Sequence, residues 1–186
     1  MKHMSELILL PLQKRQSIHD DLAHRDILNL SHIDKLKHMT LHFFKYAGRI
    51  ASARERQDTE VLKRCLIDAF IICLSTANAL NMSLGKLITT SKHVSSLLEL
   101  SATLSEEIDK NDLFMSSVFG ISETGGRFAK VLESLDHLEL GNHRQQLEHL
   151  LPILSVIVLA HLGCVSSDLE SAILSRYEEV EAKLIF

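Results

Sequence analysis

The chain has 186 residues, 46% of them apolar and 24% charged, with two prolines, seven glycines and a net charge of −4. That length allows one good core or two small ones, and the profile excludes the disordered and fibrous classes. The acidic balance also argues against nucleic acid, which rewards a basic face; Lys14-Arg15 and Lys63-Arg64 read as solvated helix surface.

From the N-terminus, "MKHMSELILLPLQKRQ" has too short an apolar stretch for a signal peptide and no small-residue cleavage site, so no leader is expected. The segment "SHIDKLKHMTLHFFKYAGRIASARERQ" predicts an amphipathic helix with Ser31 as its N-cap. Its apolar face holds Leu36, Thr40, Phe43, Ala47 and Ile50; Asp34, His38, His42, Lys45, Arg49 and Arg56 lie opposite. Residues 59–82, "TEVLKRCLIDAFIICLSTANALNM", are apolar nearly all round from Leu66 onward and predict a buried central helix. Ser83 is expected to cap a third helix that runs to about Leu104.

Leu113 opens another helical segment, in which Gly120, Gly125 and Gly126 predict breaks or kinks. Three helical stretches follow: "RFAKVLESLDHLEL", "HRQQLEHLLPILSVIVLAHLG" and "SSDLESAILSRYEEVEAKL". Pro152 is expected in an early turn of its helix or at a kink, and Ser167 to Glu170 reads as a capping box. The apolar run at 150–163 is shorter than a membrane span and holds a proline and a histidine. Cys65, Cys73 and Cys164 each sit in an apolar run without C-x-x-C spacing and read as buried free thiols. These features predict a soluble, cytoplasmic, all-α protein with no membrane association.

Two stretches share an order. Gly48-Arg49-Ile50-Ala51 matches Gly126-Arg127-Phe128-Ala129, and "LKRCLIDAFIICLSTANALNMSL" lies against "LEHLLPILSVIVLAHLGCVSSDL". This predicts one helical bundle of two duplicated helix-loop-helix units, about 32–88 and 118–173, related by a pseudo-twofold axis.

That order resembles the MazG-like all-α nucleoside triphosphate pyrophosphohydrolases. "FFKYAGRIA" is similar to the K-x-x-E-x-G-E-L or E-E-x-x-E pattern of the family's first helix. "CLIDAFIICLSTANALNMSL" is similar to its next helix, which carries E-x-x-D and ends like L-A-N-x-L-G-I-D-L. The resemblance implies hydrolysis between the α and β phosphates of a nucleotide, with Mg²⁺ held by those carboxylates. Mg²⁺ takes oxygen ligands, screens phosphate charge and activates water.

Position by position, the acids of the first helix meet Lys45, Tyr46 and Arg49, and the E-x-x-D pair meets Cys65 and Asp68. In the second unit Glu123 takes one acidic position, while Thr124, Arg127, Leu150 and Ile153 take the others. The resemblance with this departure implies a degenerate relative that binds a nucleotide or a protein partner, or forms a homodimer. Lys45, Arg49 and Arg127 are then the phosphate-binding candidates. The alternatives are an active Mg²⁺-dependent pyrophosphohydrolase and a helical scaffold without a ligand. No cofactor is expected unless the active enzyme is correct, and little Mg²⁺-dependent hydrolysis is expected.

Asp68, set among Ile67, Ile71 and Ile72, needs a cation or hydrogen-bond donors. Arg49 is the predicted partner, and Arg127 is expected to pair with Glu123 or Glu148. Arg49→Ala should then destabilise more than Arg127→Ala. The i, i+4, i+8 stripe Asp34, His38, His42 stacks three potential transition-metal ligands on one helix face, or is simply a polar surface. Asp68, Glu123, His38 and His42 are therefore the metal candidates. Residues 42–48, "HFFKYAG", also resemble a histidine phosphotransfer domain. There Tyr46 stands where that pattern has glycine, and its ring would hinder a docking response regulator. Met39, Phe43 and Phe44 read as core packing.

Overall fold

The computed structural model describes residues 4–90 and 92–183. Among them no strand forms. The helices are α1 (Met4–Ala23), α2 (Arg25–Leu28), α3 (His32–Arg54), α4 (Thr59–Ala79), α5 (Leu84–Leu87), α6 (Leu97–Leu104), α7 (Leu113–Asp136), α8 (His143–Val165) and α9 (Leu169–Glu181). A short 3-10 turn, Ser105–Glu107, follows α6.

Most helix starts are written locally. The side chains of Ser31, Asp58, Ser96, Asp112 and Asn142 each accept from the backbone N–H three residues on, which satisfies one orphan donor of the first turn. Three helix ends share a second device. Gln57, Asn81 and Leu138 adopt positive φ just beyond α3, α4 and α7. The next N–H in each case returns to a carbonyl of the last turn: Asp58 to Ala53 (3.2 Å), Met82 to Ala77 (3.0 Å) and Glu139 to Ser134 (2.9 Å). These are Schellman turns, closed here without glycine.

The four long helices form the centre, α3 packing on α4 and α7, and α8 packing on the same two. The predicted apolar face of α3 is buried at Leu36, Thr40, Phe43, Ala47 and Ile50. It meets Leu66 and Phe70 of α4, Phe128 of α7 and Leu151 and Leu154 of α8 in one continuous core. Each such side chain contributes about 1.5–3 kcal/mol when fully buried. The shell is made by α1 across α4 and α5, α6 along α8, and α9 against α4, α1 and α6. By length and composition α8 would suffice to cross a membrane, contrary to the sequence reading of its apolar run. Half of its most apolar window is buried within the bundle.

Several sequence expectations are corrected. Ser83 does not cap a long helix: α5 ends at Leu87, and no described residue between it and α6 is helical. The Ser83 hydroxyl turns to Glu6, and the amide of Leu84 is taken by Gln13 Oε1 at 2.9 Å. Gln13, buried in α1, also donates to Asn78 Oδ1 and to the Met82 carbonyl, so it clamps α1 to the end of α4. The glycines do not break α7, which is continuous. Gly125 instead faces Phe43 and Phe44, and Gly120 faces Ile157, so both lie where neighbouring helices approach. Pro152 sits mid-way along an unbroken α8 rather than in an early turn. The cap of α9 is Asp168 rather than Ser167, and its side chain goes to Lys63 and Ser166.

Candidate functional site

Asp68 lies in the buried part of α4 and does not pair with Arg49. Its carboxylate is gripped by Arg176 of α9, Nε to Oδ1 at 2.6 Å and Nη2 to Oδ2 at 3.2 Å. The two side chains are only 9% and 18% exposed, and a second carboxylate, Glu179, accepts from Arg176 Nη1 at 3.0 Å. The predicted logic holds with a different arginine. A buried carboxylate takes a guanidinium fork as its counter-ion, because two parallel charge-assisted hydrogen bonds offset its desolvation. Arg49, on the outer face of α3, is exposed.

The pair expected for Arg127 does not form among the described residues. Arg127 and Glu123 are both exposed and make no hydrogen bond or ion pair with each other, and Glu148 is held by Arg144 at 2.7 Å. The reason is geometric: both residues sit on the solvent side of α7, and Arg144 is one helical turn from Glu148 on α8.

These positions do not fit Mg²⁺. Asp68 is already neutralised by an organic cation, and Glu123 is an isolated surface carboxylate on another helix. Among the described residues no group of three or more His, Cys, Asp or Glu is placed to hold a metal ion.

Beside the Asp68–Arg176 pair stand two cations, Lys45 and Arg49, with no carboxylate partner among the described residues. Lys45 Nζ lies 4.5 Å from the centre of the Tyr46 ring and 2.9 Å from His42 Nδ1. Partial burial and the neighbouring Arg49 lower the pKa of Lys45. Burial, with Asp68 nearby, raises that of the Cys65 thiol at the same place.

The histidine stripe forms a hydrogen-bond chain whose polarity can be deduced. Lys45 can only donate, so His42 Nδ1 accepts and the proton of neutral His42 is on Nε2. That N–H then donates to His38 Nε2 at 3.1 Å. A ring nitrogen that carries a proton offers no lone pair to a metal, and Lys45 adds a positive charge, so His38 and His42 form a relay rather than a chelate. Asp34 is remote from this chemistry; it accepts from the Ser31 hydroxyl at 2.6 Å, where α3 begins.

The relay ends at a cleft of about 250 Å³ between α1, α3 and α4. Asp20, His24, His38, His42, Ser75 and Asn78 supply its polar wall, and Met39 and Ile72 belong to its apolar one. Asp20 accepts from Gln16 Nε2 and Ser75 Oγ, both at 2.7 Å. Burial raises its pKa against the opposing effect of these two neutral donors. Burial lowers the pKa of His24, and burial with Lys45 brings His42 down to about 4.

Arg176 and the α1 side of this cleft escaped the sequence reading. The available signal was the close spacing of His19, Asp20, Asp21 and His24, four titratable residues within six positions. No family model, curated protein or solved structure matches the chain.

The histidines make a pH prediction. His42 is neutral in the fold down to about pH 4, whereas unfolded histidine protonates near 6.5. Its contribution is therefore complete above about pH 6.5 and is lost as pH falls towards 4, with buried His161 and half-buried His24 acting in the same direction. Asp20 opposes them, because a raised carboxyl pKa favours the fold towards acid. Urea midpoints from pH 7.5 to 4 should fall for the wild type and fall less for His42→Asn. Parallel curves would mean that His42 is not held neutral.

Proposed function

We propose that the chain is a divergent MazG-like helical bundle that binds a nucleoside phosphate or similar anion at the Lys45–Arg49 face of α3 without hydrolysing it. The observation that carries this reading is the clamp of Arg176 on Asp68. The one carboxylate left at the family's metal position is already paired, while two neighbouring cations are not. Adjacent cations repel: beyond the effect of burial, Arg49 also lowers the pKa of Lys45, and an anion between them relieves that repulsion. Arg49 supplies a planar fork suited to phosphate oxygens.

The duplication belongs to the same proposal. The α3–α4 and α7–α8 hairpins each close with a Schellman turn on a left-handed residue, Gln57 or Leu138. Each then reopens on an Asp or Asn cap, Asp58 or Asn142. Three unpaired cysteines suit a reducing compartment, and a cytoplasmic location completes the reading.

Titration calorimetry with a nucleotide panel, with Mg²⁺ and with EDTA, tests it. Binding should persist in EDTA and weaken about tenfold or more in Arg49→Ala, the worth of a charge-assisted contact. Pyrophosphate release should be absent. Mg²⁺-dependent turnover that vanishes in Asp68→Ala would establish the active enzyme instead. Absence of binding by every nucleotide would leave the scaffold reading.

A further inference from the structure

We infer that the cleft between α1, α3 and α4 is a second site, distinct from the Lys45–Arg49 face, that takes a small organic cation: an ammonium group on a short apolar body. Asp20 is the centre of it. Its carboxylate is held by two neutral donors, Gln16 Nε2 and Ser75 Oγ, and makes no ion pair among the described residues. A carboxylate has about four lone-pair sites, so two donors leave acceptor capacity unused. The same fold gives another recessed carboxylate, Asp68, a full guanidinium. Asp20 is thus a recessed acid without a counter-ion among the described residues, and it borders a cavity.

Charge in the lining selects the sign of the ligand. Asp20 and Asp21 line the cleft together, and Lys35 is its one permanent cation and does not hydrogen-bond to Asp20. Burial and then Lys45 bias His42 towards its neutral form, and burial biases His24 the same way. His38, the remaining imidazole in the lining, receives the His42 N–H on Nε2. An anion would therefore meet two carboxylates, whereas an ammonium meets an unpaired one; the amide of Asn78 is already engaged with Gln13. Met39 and Ile72 offer apolar surface for the rest of the ligand. A volume of about 250 Å³ lies below the usual range for drug-sized ligands, so it admits one ring or a short chain and not a nucleotide.

Benzylamine and butane-1,4-diamine are suitable probes on the full chain, with benzoate and benzyl alcohol as controls, read by calorimetry and thermal shift. Both amines should bind and raise the melting temperature, and neither control should. Asp20→Asn keeps the shape and removes the charge. It should weaken the amines about tenfold or more, the worth of a charge-assisted hydrogen bond, and melt no lower than the wild type. Ala79→Leu narrows the cleft from α4 with Asp20 intact and should also lose the amines. Arg49→Ala should not affect them, which separates this site from the nucleotide reading. The proposal is overturned if benzoate or benzyl alcohol binds as well as the amines, if both cleft variants keep wild-type affinity, or if neither amine gives heat or a shift at millimolar concentration.

Discussion

Arg176→Ala is expected to destabilise the fold by about 3 kcal/mol, the low end of the range for breaking a buried ion pair, because Arg176 retains some exposure. The loss arises from Asp68. Without the guanidinium its carboxylate stays on a helix whose neighbouring Leu66, Ile67, Ala69 and Phe70 are all buried, and no other described residue donates a hydrogen bond to it. Asp68→Ala should cost less, since the freed Arg176 keeps Glu179 and reaches solvent. Asp68→Leu combined with Arg176→Met should recover most of the loss, because an apolar pair of similar volume avoids both desolvation costs. Arg49→Ala and Arg127→Ala, both at exposed positions, should stay within about 0.5 kcal/mol of the wild type. Urea denaturation of the five variants decides it. An Arg49→Ala loss as large as that of Arg176→Ala would restore the pairing expected from the sequence and refute the one described.

The glycines should divide into two classes of opposite sign. At Gly163 of α8 an added Cβ would lie 2.5 Å from the carbonyl oxygen and 2.6 Å from the carbonyl carbon of Ser101 in α6. Both are backbone atoms, so no side chain can swing aside; α6 itself must move from α8. Overpacking of this kind costs about 1–3 kcal/mol, and the upper value is expected for Gly163→Ala. Gly85 meets the backbone of Ser5 and Glu6 in the same way. Gly48 and Gly126 are the reverse case, with nothing within 4 Å of the added carbon and ordinary negative φ. There alanine should stabilise by about 0.5–1 kcal/mol through its helix preference. Melting curves of the four alanine variants give the sign directly. A neutral Gly163→Ala would mean that α6 and α8 are not in contact at this point, and a destabilising Gly48→Ala would mean that the open face of α3 is covered.

The pattern of agreement between sequence and fold follows from the range of each interaction. The faces of α3 and α4 were readable because apolar residues repeat at the helical period and because Ser31 is a local cap. α1 was not readable, because its buried face includes Gln13, Gln16 and His19, which blur that period. Gly120 and Gly125 looked like breaks by propensity alone; tertiary contact with Ile157, Phe43 and Phe44 is what retains them in a helix. At the site, the stripe His38, His42, Lys45 was visible as spacing, but its hydrogen-bond direction depends on which atoms meet. The need of Asp68 for a cation was visible too. Its identity was not, because Arg49 and Arg176 are equally cationic and only the docking of α9 chooses between them.

The same pair spans 108 residues of chain. A ribosome adding about 5–20 residues per second has finished α4 roughly 5–20 seconds before it delivers Arg176. Throughout that interval the nascent central helix carries a carboxylate in the middle of its most apolar surface, with its eventual counter-ion not yet made. Any chain that stops before α9 carries it permanently. Docking of α9 thus neutralises a charge that α4 has carried since its synthesis, and the central helix can be fully buried only once the chain has reached Arg176.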